Sequence, residues 1–150
     1  MIAPASRNLG PSPRRWHAIA LAVASLQCLI WGVFIILWPQ RSSFAYGLAK
    51  PPADLFLWQG TGLVIFLFGV GYGLASTNPR QHWGIVLIGL LSKVLGPIGM
   101  SWAVLQNDVP LRVLFLILIN DLFWWIPFAM ILSAARQASV EGTVQPGYVQ

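Results

Sequence analysis

Two side chains fall where apolar residues would be expected. Lys93 sits in the middle of the apolar run from Trp83 to Leu105, and Asp121 in the middle of the run from Leu111 to Ala134. A lysine or aspartate at the centre of a membrane-spanning helix costs about 2.5–3.5 kcal/mol on insertion scales. Each is one step from its run's centre, so their depths differ by only about 3 Å. Opposite charges at one depth offset much of the cost. A Lys93–Asp121 ion pair facing the interior of a helix bundle is therefore expected. Such a pair can counter-charge a proton or cation exchanged at Asp121, or form the polar end of a pocket for a lipid or small molecule. It can equally fix helix register, since interhelical polar contacts in membranes average about 0.6 kcal/mol.

The neighbouring residues extend the site. Asn120 adjoins Asp121, and Trp124 shares their side of the helix at steps of four and three, with Trp125 beside it. Gln27 lies mid-way along the first apolar run and Gln59 one turn into the second. The candidate ligand-binding or proton-coupling set is thus Lys93, Asp121, Asn120, Trp124, Trp125, Gln59 and Gln27. For the two glutamines taken alone, structural hydrogen bonding is the simpler reading. Pro97 has no N–H, so the carbonyl four residues back, that of Lys93 itself, loses its helical partner. Gly96-Pro97 and Pro127 are candidate kinks. Gly89, Ser92, Gly96, Gly99 and Ala103 form a stripe of small residues along which a neighbouring helix can approach.

Other chemistries find little support. Cys28 is the single cysteine, so an intramolecular disulfide and a paired-thiol relay are both excluded. His17 and His82 are too few for a haem pair or a histidine-rich metal site. No catalytic constellation, metal site or cofactor motif is visible, and an enzyme is the least favoured class. Gly69-Val70-Gly71-Tyr72-Gly73 lacks the third glycine of a dinucleotide loop, which would fall at Leu74. Gly69 and Gly73 read instead as a helix-packing step. Arg80 and His82 fall at a membrane edge, where a headgroup contact is the plain reading. His82 lies about 16 Å along the helix from Lys93, too far to share a reacting atom.

The elements that must position these residues follow from composition. The chain has 150 residues, 57% hydrophobic and 9% charged, with a mean hydropathy of +0.69. A soluble domain carries roughly 25% charged residues. Four apolar runs, about 16–38, 55–75, 83–105 and 111–134, each meet the roughly 20 residues that a helix needs to span a bilayer. Only helices satisfy their own backbone there without closing into a barrel. The expected fold is all-α: an integral membrane four-helix bundle with up-down topology. Residues 1–15 read as a disordered basic tail and residues 135–150 as a flexible polar one. Pro39, Pro51-Pro52, Asn78-Pro79 and Asn107-Asp108-Val109-Pro110 punctuate the runs, with Asp54 and Pro110 suited to helix starts. The first run exceeds the 7–15 apolar residues of a signal peptide and reads as an uncleaved span. Arg7, Arg14, Arg15, Arg80 and Arg136 fall on one side, against Arg41, Lys50 and Arg112 on the other. That bias places both termini in the cytoplasm. The net charge of +5 is scattered one or two residues per loop. It suits membrane lipids as partners and gives nucleic acid no basic face.

From Trp58 to Phe128 several segments form a recognisable pattern. They are Trp58-Gln59, Gly69-Val70-Gly71-Tyr72-Gly73, Pro79-Arg80-Gln81-His82-Trp83, the stretch from Gly89 to Gly99 that includes Ser92-Lys93 and Gly96-Pro97, and Asn120-Asp121-Leu122-Phe123-Trp124-Trp125-Ile126-Pro127-Phe128. In these the chain resembles a family of small bacterial four-span membrane proteins without an established function. The resemblance implies the same fold and placement in the bacterial inner membrane. Some members carry the label alkyl hydroperoxide reductase. A thiol peroxidase needs an exposed, low-pKa thiolate and a resolving partner, and a lone Cys28 in mid-membrane argues against that activity. Two functions remain. One is an accessory membrane protein that binds a lipid or small molecule, as a homo-oligomer or within a larger complex. The other is a proton- or ion-coupled transporter acting as an oligomer.

Overall fold

The computed structural model describes residues 15–143. The basic tail expected at 1–15 therefore lies, apart from Arg15, outside the described residues, as do residues 144–150. Among the described residues the protein is all-helical: α1 Arg15–Leu37, α2 Pro39–Ala45, α3 Leu55–Thr77, α4 Trp83–Leu105, α5 Val113–Ile117 and α6 Phe123–Thr143. A π-helical turn, Leu118–Leu122, joins α5 to α6, so the fourth apolar run is one continuous helix with a widened turn inside it. Four stretches are long and apolar enough to cross a membrane: Arg15–Leu37, Leu55–Thr77, Trp83–Leu105 and Val113–Gln137.

The helix limits follow the sequence closely and differ from it in detail. α6 continues to Thr143, past the expected end at residue 134. Ala134, Ala135, Arg136, Gln137 and Ala138 are strong helix formers, and no glycine or proline interrupts them before Gly142. Asp54 stands just before α3, but its side chain makes no capping hydrogen bond. Pro110 lies in a turn ahead of α5, where its carbonyl accepts the Val113 N–H at 3.0 Å.

The short helix α2 was not expected from the apolar pattern. Proline disfavours the helical conformation at the residue before it, and Trp38 leaves the helix with φ −130° and ψ 62°. Pro39 then starts a new helix at its first turn, a position suited to a residue without N–H. Ser42 and Ser43 are fully buried. Ser42 Oγ donates to the Pro39 carbonyl at 2.9 Å and accepts the Trp58 indole N–H at 2.9 Å. Gly47 takes φ +85°, a left-handed conformation that suits glycine. Its carbonyl accepts the Arg112 Nε–H at 2.8 Å, tying the α2 segment to the start of α5. Between the two, Tyr46 packs against Trp31 at 5.5 Å and Trp58 at 5.3 Å.

The interior holds apolar side chains such as Leu21, Tyr72 and Phe128, and the outer surface is apolar as well, unlike that of a soluble bundle. Along α1 the outward residues are Ile19, Val23, Leu26, Ile30, Val33 and Leu37, while the inward set includes Ala24, Ser25, Cys28 and Gly32. Large apolar side chains on the outside suit a lipid solvent. Lipid tails are as apolar as leucine, so helices associate through close approach and hydrogen bonds rather than by burying oil from water. The α1–α3 pair shows this directly. A Cβ on Gly32 would lie 2.7 Å from the Phe66 backbone nitrogen, and one on Gly62 would lie 2.7 Å from Ile35 Cβ. Further along, Ser25 Oγ donates to the Gly69 carbonyl at 2.6 Å. Pairing Ile35 with Gly62 and Ser25 with Gly69 means the two helices run in opposite directions. Gly69 thus packs as the glycine step implied, and Gly73 faces Ser25. The third and fourth spans close the bundle over Tyr72, whose ring fills the space beside Gly89 and meets Phe128 edge-on at 5.1 Å.

Candidate functional site

The polar cluster forms where α1, α4 and the π turn meet. Lys93 is buried, with its side chain 6% exposed, and its Nζ lies 3.5 Å from Asp121 Oδ1. The two charges expected to pair do so, but the ammonium has a closer partner. Nζ donates to the backbone carbonyl of Asn120 at 2.7 Å, a length typical of a charge-assisted bond. The π turn accounts for that acceptor. A widened turn disturbs the regular carbonyl-to-N–H ladder, and Asn120 and Asp121 both lie within it.

A reciprocal contact comes from the other helix. Pro97 deprives the Lys93 carbonyl of its helical partner, and the Trp125 indole N–H donates to that carbonyl at 2.9 Å. Each helix thus offers a carbonyl from a disturbed ladder to a side-chain donor of the other. The remaining polar atoms are linked in series. Asn120 Nδ2 is 3.4 Å from Asp121 Oδ1, Gln27 Nε2 donates to Asn120 Oδ1 at 2.8 Å, and the Trp124 indole N–H donates to Gln27 Oε1 at 2.9 Å. Among the described residues no buried side-chain nitrogen or oxygen lacks a partner. A chain of this kind holds each amide and indole in one orientation, because any flip would leave a buried donor facing a donor.

Six of the seven candidate residues therefore meet: Lys93, Asp121, Asn120, Gln27, Trp124 and Trp125. Gln59 does not. Its Nε2 donates to the Ile36 carbonyl at 2.7 Å, and Ile36 is about 14 Å along α1 from Gln27 at 1.5 Å per residue. Antiparallel pairing with α1 carries the start of α3 to the far end of that helix. Trp124 is buried against Phe128 and Phe123, so its faces are already occupied.

The small-residue stripe divides in two. Gly89 packs against Tyr72, while a Cβ on Gly96 or Gly99 would meet nothing within 4 Å. Within the chain, then, Gly96 and Gly99 are not helix-packing residues, because α4 turns that part of its surface outward. Pro97 on the same turn is buried, and α4 remains helical through it, as α6 does through Pro127. Arg80 and His82 lie half-buried in the connection between α3 and α4, at the end of the bundle away from α2. They take no part in the polar cluster. Cys28 is buried in α1, and no group of three histidine, cysteine, aspartate or glutamate side chains among the described residues is placed to hold a metal ion.

The site is a mostly enclosed ion pair with one open side. Lys93 is sealed, whereas the Asp121 side chain is 20% exposed. Asp121 Oδ1 receives both Lys93 and Asn120, and the carboxylate is the part of the pair that remains partly exposed. In chemical terms this is a mid-span acceptor for a proton, a cation or a hydrogen-bond donor. Comparison with protein-family models, curated proteins and solved structures gives no match.

Proposed function

We propose that the chain is a small accessory protein of the bacterial inner membrane that binds a lipid or small molecule at the Lys93–Asp121 site. The observation that carries this reading is the asymmetry of the pair. A sealed ammonium fixes a carboxylate that stays partly exposed in the middle of its span. A ligand suited to it is apolar over most of its length and carries a hydroxyl, amide or amine donor for that carboxylate. The up-down topology, with both termini cytoplasmic, is part of the proposal and is supported by the arginine bias. The resemblance to small four-span bacterial membrane proteins supports the choice of membrane.

The test is extraction of the full chain directly from membranes into polymer nanodiscs, followed by mass spectrometry of what co-purifies. A species retained by the parent and lost from Asp121→Asn, against an unchanged background of bulk lipid, supports the reading. Identical small-molecule complements from the two proteins refute it.

A second reading has its own observation. Asp121 sits in a π turn, an irregularity frequent at functional sites, and a widened turn can shift register at low cost. We infer from this that Asp121 is the candidate site of proton or ion exchange should the protein couple transport as an oligomer. Proteoliposomes carrying an internal pH dye decide it. Flux indistinguishable between the parent and Asp121→Asn removes this reading.

A further inference from the structure

The α4 and α6 pair opens toward one end, away from the Lys93–Asp121 cluster. These helices are joined at mid-span through Lys93 and Trp125. Toward the start of α4 and the end of the last span they leave a cavity of about 450 Å³, lined by Trp83, Leu87, Leu132, Ala135 and Arg136. That volume lies within the roughly 300–1,000 Å³ typical of ligand pockets.

The chemistry of the lining is graded with depth. Leu87 and Leu132 wall the inner part. Trp83 is the first residue of α4, and Arg136 is the penultimate residue of the span Val113–Gln137. The mouth therefore falls where a bilayer changes from hydrocarbon to headgroup. Tryptophan favours that level, and arginine reaching it pairs well with phosphate through its planar fork of donors. Arg136 is exposed, and its guanidinium makes no hydrogen bond or ion pair with the described residues. The contrast with Arg112, whose Nε is engaged by the Gly47 carbonyl, marks Arg136 as a cation available to a ligand.

We propose that this cavity holds one anionic phospholipid of the surrounding leaflet, with its phosphate on Arg136 and an acyl chain between Leu87 and Leu132. Charge complementarity and the depth of the mouth select this occupant. A free anion would leave the apolar walls empty, and an uncharged amphiphile would leave the guanidinium without a counter-ion. The site shares no residue with the Lys93–Asp121 cluster, so it stands or falls separately from the proposed function.

Native mass spectrometry of the full chain tests it, with dioleoyl phosphatidylglycerol or dioleoyl phosphatidylcholine added in equal amounts to the micelles. One basic residue near a membrane surface favours anionic lipid by about 1 kcal/mol, or about fivefold. The parent is expected to retain one phosphatidylglycerol about fivefold over phosphatidylcholine. Arg136→Gln should bring that ratio close to one, and Arg136→Lys should keep part of it. Leu132→Trp, which fills the cavity and leaves the guanidinium, should lose the tightly held lipid of either kind. Equal retention of the two lipids by the parent overturns the proposal without any variant. So does an unchanged preference in Arg136→Gln, or displacement of phosphatidylglycerol by millimolar inorganic phosphate, which would show that the acyl chain contributes nothing.

Discussion

Consider removal of the two charges, one at a time and together. Lys93→Met takes away a charge-assisted bond to the Asn120 carbonyl, the shortest contact in the cluster. It also leaves the Asp121 carboxylate with only Asn120 Nδ2, at 3.4 Å. Breaking a buried pair from one side costs about 3–5 kcal/mol, and this variant should fall in that range. Asp121→Asn is milder. The ammonium keeps the Asn120 carbonyl and gains a neutral amide oxygen in place of the carboxylate, so the loss is that of one charged partner, about 1–3 kcal/mol. The double variant replaces the pair by a thioether that fills the lysine stem and an amide that can still bond Asn120. It should lie within about 1 kcal/mol of the parent. The coupling energy is then about 3 kcal/mol or more, well above the largest value of about 1.7 kcal/mol measured for interhelical polar contacts in membranes. Reversible unfolding in mixed micelles by SDS titration, followed by tryptophan fluorescence, gives all four stabilities. Single effects that add in the double variant to within about 0.5 kcal/mol would show independent sites and refute the reasoning.

Three further outcomes are expected. Trp125→Phe leaves the Lys93 carbonyl without a donor and should cost about 1–3 kcal/mol, but in a Pro97→Ala background the restored helical N–H should make the same change nearly neutral, read by the same titration. Gly32→Ala should disrupt the α1–α3 pair, because its Cβ would meet the Phe66 backbone, whereas Gly99→Ala meets open space and should be neutral or stabilising by up to about 1 kcal/mol; reversal of that order in thermal unfolding would contradict the packing. Burial, reinforced by the Asp121 charge, pushes the Tyr46 phenol up to about 12. An unfolded tyrosine ionises near 10, so the stability held by the neutral phenol is present below pH 10 and lost as pH rises through about 12. Tyr46→Phe should flatten that alkaline fall in a stability-versus-pH series, and an unchanged profile would count against the burial of Tyr46.

The spans were legible because length and hydropathy act over twenty residues at a time and tolerate local irregularity. The pairing of Lys93 with Asp121 was legible because two mid-span charges have few ways to avoid hydrocarbon. The Lys93 carbonyl freed by Pro97 could be named in advance, although its partner could not. Finding Trp125 there depends on how α6 is rotated about its axis, which the sequence alone does not set. The π turn left no trace either, since Leu118-Ile119-Asn120-Asp121-Leu122 reads as ordinary helix. Gln59 stands apart because it lies only one turn into its span, and antiparallel packing sets that end beside Ile36 at the close of α1 rather than beside Gln27. Gly96 and Gly99 continue the spacing of Gly89, yet spacing does not say where along a helix its neighbour crosses.

The distribution of the polar cluster along the chain has a consequence for biosynthesis. Lys93 finds its acceptors 27 and 28 residues later, and Gln27 finds Asn120 only 93 residues later. At about 5–20 residues translated per second, the ammonium waits roughly 1–6 s for its partners, and Gln27 roughly 5–19 s. During that interval α4 would carry an uncompensated charge into hydrocarbon if it left the insertion machinery alone. The third span is therefore expected to be held at the protein-conducting channel until the fourth emerges, and the two to enter the bilayer as a hairpin. The tightly packed pair of α1 and α3 needs no such delay and would already be in place to receive them.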